Sequence, residues 1–192
     1  MRNYRKKPKR INILLDLDST IISSITKEEE NSLLKPRMKK FRWENMEGIY
    51  KVFERPGLQE FLDFLFKNFN VSIWTAASKT YALFVIDKFV LNQKPERKLE
   101  FIFFSYHCSE SELQEKTQKS LKLLKSHFKL PIFDMNQTYI IDDHPDVYNA
   151  QPKNCIKIKP FEFSERKSFF DDELNSVIKP ILKKILINDD ME

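Results

Sequence analysis

The chain holds only two glycines, Gly48 and Gly57, among 192 residues. The GxGxxG dinucleotide fingerprint and the P-loop both need glycine to bring backbone close to phosphate, so neither is present. Cysteine is equally scarce: Cys108 and Cys155 stand apart, with no CxxC pair. A disulfide framework or zinc cluster is therefore not the expectation, and reduced thiols in the nucleus or cytoplasm are. The three histidines, His107, His127 and His144, lack metal-ligand spacing. Apolar runs stop after a few residues, as at Ile13–Leu15, whereas about 20 are needed to span a bilayer. The basic N-terminus is followed by too short an apolar stretch for a secretory signal. No membrane partner is expected.

Acidic residues are missing from one place only. Residues 1–10 carry Arg2, Arg5, Lys6, Lys7, Lys9 and Arg10 and no acid. Removing those six from the 33 basic residues leaves 27 against 28 acidic ones, so the net charge of +5 belongs to the tail and the rest is nearly neutral. A nucleic-acid-binding body would need clustered Lys and Arg, which this balance argues against. The tail reads either as a nuclear-import or anionic-docking segment or as a solvated arm.

What is present is core-forming material: 41% hydrophobic residues and 17 phenylalanines. That is enough for one domain over residues 11–188. Ile11–Leu15 reads as a buried strand running into Asp16-Leu17-Asp18. Residues 21–50 read as an insertion of irregular or small β structure. Pro56 opens a helix with Leu58, Phe61, Leu62, Leu65, Phe66 and Phe69 at helical spacing. Val71–Trp74 is a second strand, followed by a helix capped by Ser78 with Tyr81, Phe84, Val85 and Phe89 inward. Phe101–Phe104, Thr138–Ile141 and Ile156–Ile158 are further strands. A helix is expected over 117–128. Another spans 168–187 with Leu174, Ile178, Ile181, Leu182 and Ile185 on one face, and Pro180 must kink or split it. Strands alternating with helices predict an α/β fold with a central parallel sheet.

In such sheets ligands bind beyond the carboxyl ends of the strands. Asp16, Asp18 and Thr20 follow the first strand, Thr75 and Ala76 the second, Ser105 the third, and Asp142 and Asp143 the fourth. Four carboxylates converging on one edge would repel one another unless a cation joined them. An oxygen-only set points to Mg²⁺. A carboxylate can also be the nucleophile of phosphoryl transfer, which suits Asp16 at the strand tip. Asp18, two residues on, can protonate the leaving oxygen and then activate water. Thr75 and neighbouring amides can hold phosphate oxygens. Lys119 can neutralise them, whereas Lys122 and Lys125 need not face the site.

Leu14-Leu15-Asp16-Leu17-Asp18-Ser19-Thr20 resembles the DxDxT signature of the haloacid dehalogenase superfamily. More narrowly, it is similar to the NLI-interacting-factor-like branch that dephosphorylates the C-terminal repeat domain of RNA polymerase II. Arg55-Pro56-Gly57-Leu58-Gln59-Glu60-Phe61-Leu62, Trp74-Thr75-Ala76-Ala77-Ser78, Lys119-Ser120-Leu121, Ile141-Asp142-Asp143-His144-Pro145 and Gln151-Pro152-Lys153-Asn154-Cys155-Ile156 resemble that branch in order. The resemblance implies a capless three-layer Rossmann-like sandwich whose small insertion helps hold a phosphopeptide. It implies that Asp16 is phosphorylated, that Asp18 is the acid and base, and that Thr20, Thr75, Ala76 and Lys119 bind phosphate. Asp16, Asp143, Asp142 and the Asp18 backbone carbonyl would serve the metal, with Asp142 supporting Lys119 or a metal-bound water. The implied substrate is a phosphoprotein; a nucleic-acid-end phosphatase and a silent phosphopeptide-binding module are the alternatives. Two positions depart from the family. Ser105 replaces an arginine that contacts phosphate, and His144 replaces a serine. Arg37, Lys39, Lys40 and Arg42 in the insertion are candidate substitutes for that arginine, if not simply a solvated basic stretch.

Overall fold

The computed structural model describes residues 11–189, so the basic segment 1–10 lies outside the described residues. The elements in chain order are β1 (Asn12–Leu15), β2 (Ile22–Thr26), α1 (Lys35–Met38), β3 (Trp43–Met46), β4 (Tyr50–Glu54), α2 (Leu58–Asn68), β5 (Asn70–Trp74) and α3 (Lys79–Val85). Next come β6 (Leu99–Phe103), α4 (Ser105–Glu115), α5 (Leu121–Ser126), β7 (Thr138–Asp142), α6 (Pro145–Ala150), β8 (Cys155–Lys157) and α7 (Lys179–Asp189).

Five strands form one parallel sheet in the order β6-β5-β1-β7-β8. β1 lies at its centre, with Ile13 paired to Val71 on one side and to Tyr139 on the other. Every residue of β1 is buried, as a strand covered on both faces must be. Strand alternation divides those residues between two layers. Ile13 and Leu15 join the cluster that includes Phe61, Leu62, Ala82, Val85 and Leu182. Leu14 joins Trp74, Leu121, Leu124, Phe133 and Val147 on the opposite face. The result is the α/β sandwich expected from the sequence. The strand order reverses between β1 and β7, which places a crevice at their carboxyl ends.

A second, antiparallel sheet has the order β2-β4-β3. It occupies the stretch between β1 and α2, and Phe53 of β4 stacks flat on Phe163 at 3.7 Å between ring centroids. The start of α2 lies later than expected. Pro56 precedes the helix, and Gly57 caps it at φ 76°, in the left-handed region. The conformation favours glycine there, and a Cβ would also displace the Asn175 amide, whose Nδ2 lies 2.3 Å from its position.

Three helical features differ from expectation. α4 is a helix that the apolar spacing does not predict. It buries only Cys108 and Ser111, so it shows no apolar period, and its start is closed by His107, whose Nδ1 accepts the Phe104 amide at 2.8 Å. The helix expected over 117–128 begins only at Leu121, because residues 117–120 form a loop tied to other elements. The expected helix over 168–187 divides into a 3₁₀ turn at Ser168–Phe170 and a continuous helical stretch over 173–189, whose early part, Leu174–Ile178, is a π turn leading straight into α7. The wider π turn shifts the phase of the residues after it. Leu174, Ile178 and Leu182 stay buried, while Ile181, expected inward, is 37% exposed. Pro180 lies inside this continuous helical stretch, directly after the π turn, so the change in hydrogen-bond spacing falls where a proline cannot donate.

Candidate active site

Asp16 follows the last residue of β1, and its amide donates to Ile141 O at 3.1 Å, continuing the ladder to β7. The chain then turns sharply. Leu17 O accepts the amides of Thr20, Ile21 and Ile22, and Ser19 takes φ 56°. Two devices hold this turn. Glu162 accepts the hydroxyls of Ser19 at 2.8 Å and Ser23 at 3.2 Å. Arg55, fully buried, donates to Thr20 O at 2.8 Å and Lys159 O at 3.0 Å. Its Nε and Nη2 grip the Asp171 carboxylate at 2.7 and 2.9 Å. The sequence marks Arg55 only as part of a helix start. A lone arginine in sequence carries no sign of burial, and Asp171 lies 116 residues away.

Lys119 reaches the same place from the loop before α5. Gln151 brackets it, donating from Nε2 to Lys119 O at 2.7 Å and accepting the Leu121 amide at 3.0 Å. Asp146 accepts the Thr117 hydroxyl and the Gln118 amide, and Ser111 accepts the Ser120 amide. Nothing in the sequence singles out Gln151, Asp146 and Ser111 as site supports; only the position of Gln151 in a family block hints at it. So held, the Lys119 ammonium is 2.6 Å from Asp16 Oδ1 and 2.7 Å from Asp142 Oδ2. Burial alone would lower its pKa, but the two carboxylates outweigh that and raise it. Lys122 and Lys125 are exposed.

Asp142 ends β7 and Asp143 follows it. One carboxylate oxygen from each of Asp16, Asp142 and Asp143 lies within 4.8 Å of the others. Burial, then the neighbouring Asp16, raises the pKa of both Asp142 and Asp143. Three carboxylates face one ammonium, so the cluster is short of positive charge. An all-oxygen donor set with that deficit fits a hard dication such as Mg²⁺. Thr20 donates to Asp143 Oδ1 at 3.3 Å, within reach of the same carboxylates.

Asp18 stands at the same strand ends but outside the tightest group of carboxylates. Its side chain does not join the trio; Oδ1 instead accepts the Tyr81 hydroxyl at 2.7 Å. Burial raises its pKa to about 6, against the opposing Tyr81 bond and with help from Asp16. Asp18 remains within electrostatic reach of Asp16, Lys119 and Asp143, at the same strand-end edge.

Thr75 is buried at the end of β5, its amide on Phe103 O at 3.0 Å and its hydroxyl accepting the Ala77 amide at 3.0 Å. Ala76, between them, is exposed. Ser105 donates its amide to Ala77 O at 3.0 Å, so it flanks this loop. The candidate substitutes for the family arginine are engaged elsewhere or turned to solvent. Arg37 Nη2 donates to Phe163 O, Glu165 O and Ser168 Oγ. Arg42 bonds Glu54, Lys88 O and Asn92. Lys40 sits over the Phe169 ring, and Lys39 is exposed. Burial pushes Cys108 up to about 11 and Cys155 up to about 12, so neither thiol is a nucleophile at neutral pH.

Among the described residues no helix is long and apolar enough to cross a membrane. Residues 11–192 match the family described as NLI interacting factor-like phosphatase. The chain is 46% identical over 180 residues to a CTD phosphatase-like protein of Invertebrate iridescent virus 6, covering 91% of this chain and 98% of the relative. It is 43% identical over 188 residues to the counterpart in Invertebrate iridescent virus 3, covering 94% and 98%. A solved structure of Fcp1, an essential RNA polymerase II CTD phosphatase, superposes with a TM-score of 0.56 at 25% identity. That match covers 80% of this chain but only 43% of the other, so the chain spans less than half of Fcp1 as solved. The strand-end aspartates and the lysine paired with them thus lie in a chain that belongs to the NLI interacting factor-like phosphatase family.

Proposed function

We propose that this chain is a Mg²⁺-dependent phosphatase acting through an aspartyl-phosphate on Asp16, with phosphoserine or phosphothreonine of a protein as substrate. The observation that carries the reading is the Asp16 carboxylate at the tip of β1, 2.6 Å from Lys119 and clustered with Asp142 and Asp143. Asp16 attacks phosphorus, the bond to the leaving oxygen breaks, and Asp18 delivers a proton to that oxygen. Asp18 then takes a proton from water, which attacks the phosphorus of the acyl phosphate and frees Asp16 and inorganic phosphate. Lys119, Thr20, Thr75 and the Ala76 amide hold phosphate oxygens. The carboxylates of Asp16, Asp142 and Asp143, with the Asp18 carbonyl, would hold Mg²⁺. Bound there, the ion offsets charge on the phosphoryl group. Residues 11–188 act as one domain, with 21–50 as an insertion beside the peptide. The viral relatives and Fcp1, described as CTD phosphatase-like and as a CTD phosphatase, favour a repeat resembling the RNA polymerase II tail.

Turnover of an aryl phosphate should require added Mg²⁺ and disappear with chelator. Rates unchanged by chelator would mean that the carboxylates are not a metal site. Comparing phosphopeptides with end-phosphorylated oligonucleotides then decides the substrate; preference for the oligonucleotide would overturn the protein assignment. The lysine has its own test. Lys119→Ala is expected to slow turnover by about 10²-fold or more, since a buried charge on the reacting group is lost. Lys122→Ala, at an exposed position, is expected to stay within about twofold of the parent. Equal effects in the two variants would show that Lys119 does not touch phosphate.

A further inference from the structure

Tyr81 takes no part in the proposed phosphoryl transfer, yet its hydroxyl is placed with care. The residue is 7% exposed on α3, and its hydroxyl donates to Asp18 Oδ1 at 2.7 Å. A second partner, the Ser24 side chain of β2, hydrogen-bonds the same phenol oxygen. The Tyr50 ring of β4 stands edge-on to the Tyr81 ring, 5.2 Å between centroids and 77° between planes, and blocks its swing. A phenol has one proton to give. Facing an ionised Asp18, that proton is given to Oδ1, and the phenol oxygen keeps lone pairs free towards Ser24.

We propose that Tyr81 is a positioning residue that confines the transferable proton of Asp18 to Oδ2. With Oδ1 engaged by the phenol, Oδ2 is the oxygen left open to carry and deliver the hydrogen of the protonated acid. In the first step that O–H bond breaks as the leaving oxygen takes the proton and its bond to phosphorus breaks. In the second step the freed Oδ2 accepts a proton from the attacking water. Ser24 and Tyr50 both belong to the small sheet, so the orientation of the acid is set jointly by α3 and by the insertion.

The inference rests on the phosphatase reading, and two substrates keep the two separable. A phosphoserine peptide leaves as an alkoxide and needs a proton; dinitrophenyl phosphate leaves as a stable phenolate and does not. Tyr81→Phe keeps the ring and removes only the hydroxyl. The measurement is the pre-steady-state rate of leaving-group release. With the peptide it is expected to fall by about ten- to hundredfold at nearly unchanged KM, and with dinitrophenyl phosphate by less than about threefold. Ser24→Ala should show the same selectivity with a smaller loss. Asp18→Asn combined with Tyr81→Phe should be no slower than Asp18→Asn alone. An equal loss on both substrates overturns the assignment in favour of a packing role, and a raised KM at unchanged kcat overturns it in favour of substrate binding. If the unaltered protein turns over neither phosphate, the phosphatase reading itself falls, and the role of Tyr81 falls with it.

Discussion

Asp16→Asn is expected to abolish turnover of every phosphate monoester while leaving the folded protein intact. An amide has no charged oxygen to form the acyl phosphate, and its carbonyl can still accept from Lys119, whose other partner Asp142 remains at 2.7 Å. The fold therefore loses little. No other side chain at the site can take over the attack. Asp142 is tied to Lys119 and to the His144 amide, and both thiols are held protonated by burial. Loss of a sole nucleophile costs about 10⁴-fold or more in kcat. The check is phosphate release by purified variant and parent, with circular dichroism to confirm folding. Residual activity above about a thousandth of the parent rate, well over what removal of a nucleophile leaves, would sink the aspartyl-phosphate mechanism.

The second large effect is on stability. Arg55→Ala is expected to destabilise the protein by about 3–5 kcal/mol, the usual cost of breaking a buried ion pair. The side chain is fully buried, and its removal strands Thr20 O, Lys159 O and the Asp171 carboxylate. Asp171→Ala should cost somewhat less, because Asp171 is partly exposed and water can reach the space it leaves. The double variant should cost far less than the two losses added, since they share one interaction. Arg55→Lys should not rescue, because one ammonium cannot replace a fork that serves three partners. Urea unfolding of the parent and these variants is the measurement. A loss under about 1 kcal/mol for Arg55→Ala, the range of an exposed pair, would mean that water replaces the guanidinium.

These two predictions differ in what could be read from sequence. Asp16 was legible because the apolar run before it ends abruptly in carboxylates at a strand end, where ligands bind in such sheets. Asp142 and Asp143 were legible on the same ground. That the two ends lie side by side depends on β1 pairing with β7, which sequence periodicity does not encode. Arg55 was invisible as a buried cation, and so was the bond between Tyr81 and Asp18, which joins residues 63 positions apart. Periodicity also failed where packing asks little of it. α4 buries two small residues and so carries no stripe, and the π turn before α7 breaks the spacing that placed Ile181 inward. For Arg55, Tyr81 and the meeting of β1 with β7 the missing information was a tertiary contact, whereas for α4 and the π turn it was local backbone geometry without an apolar stripe.

The grip of Arg55 on Asp171 also sets an order of events during synthesis. Domains are made from the N-terminus, and the chain between Asp16 and Asp171 takes on the order of ten seconds to emerge. Through that interval the central strand and Asp16 are already outside the ribosome. The guanidinium that steadies the turn after Asp16 still lacks its carboxylate, and a buried arginine without a partner does not stay buried. Gly57 O likewise waits for Asn175, and Ser19 for Glu162. The turn after Asp16 is thus the first part of the candidate site to be made, yet the carboxylate that steadies its buried arginine arrives only with Asp171.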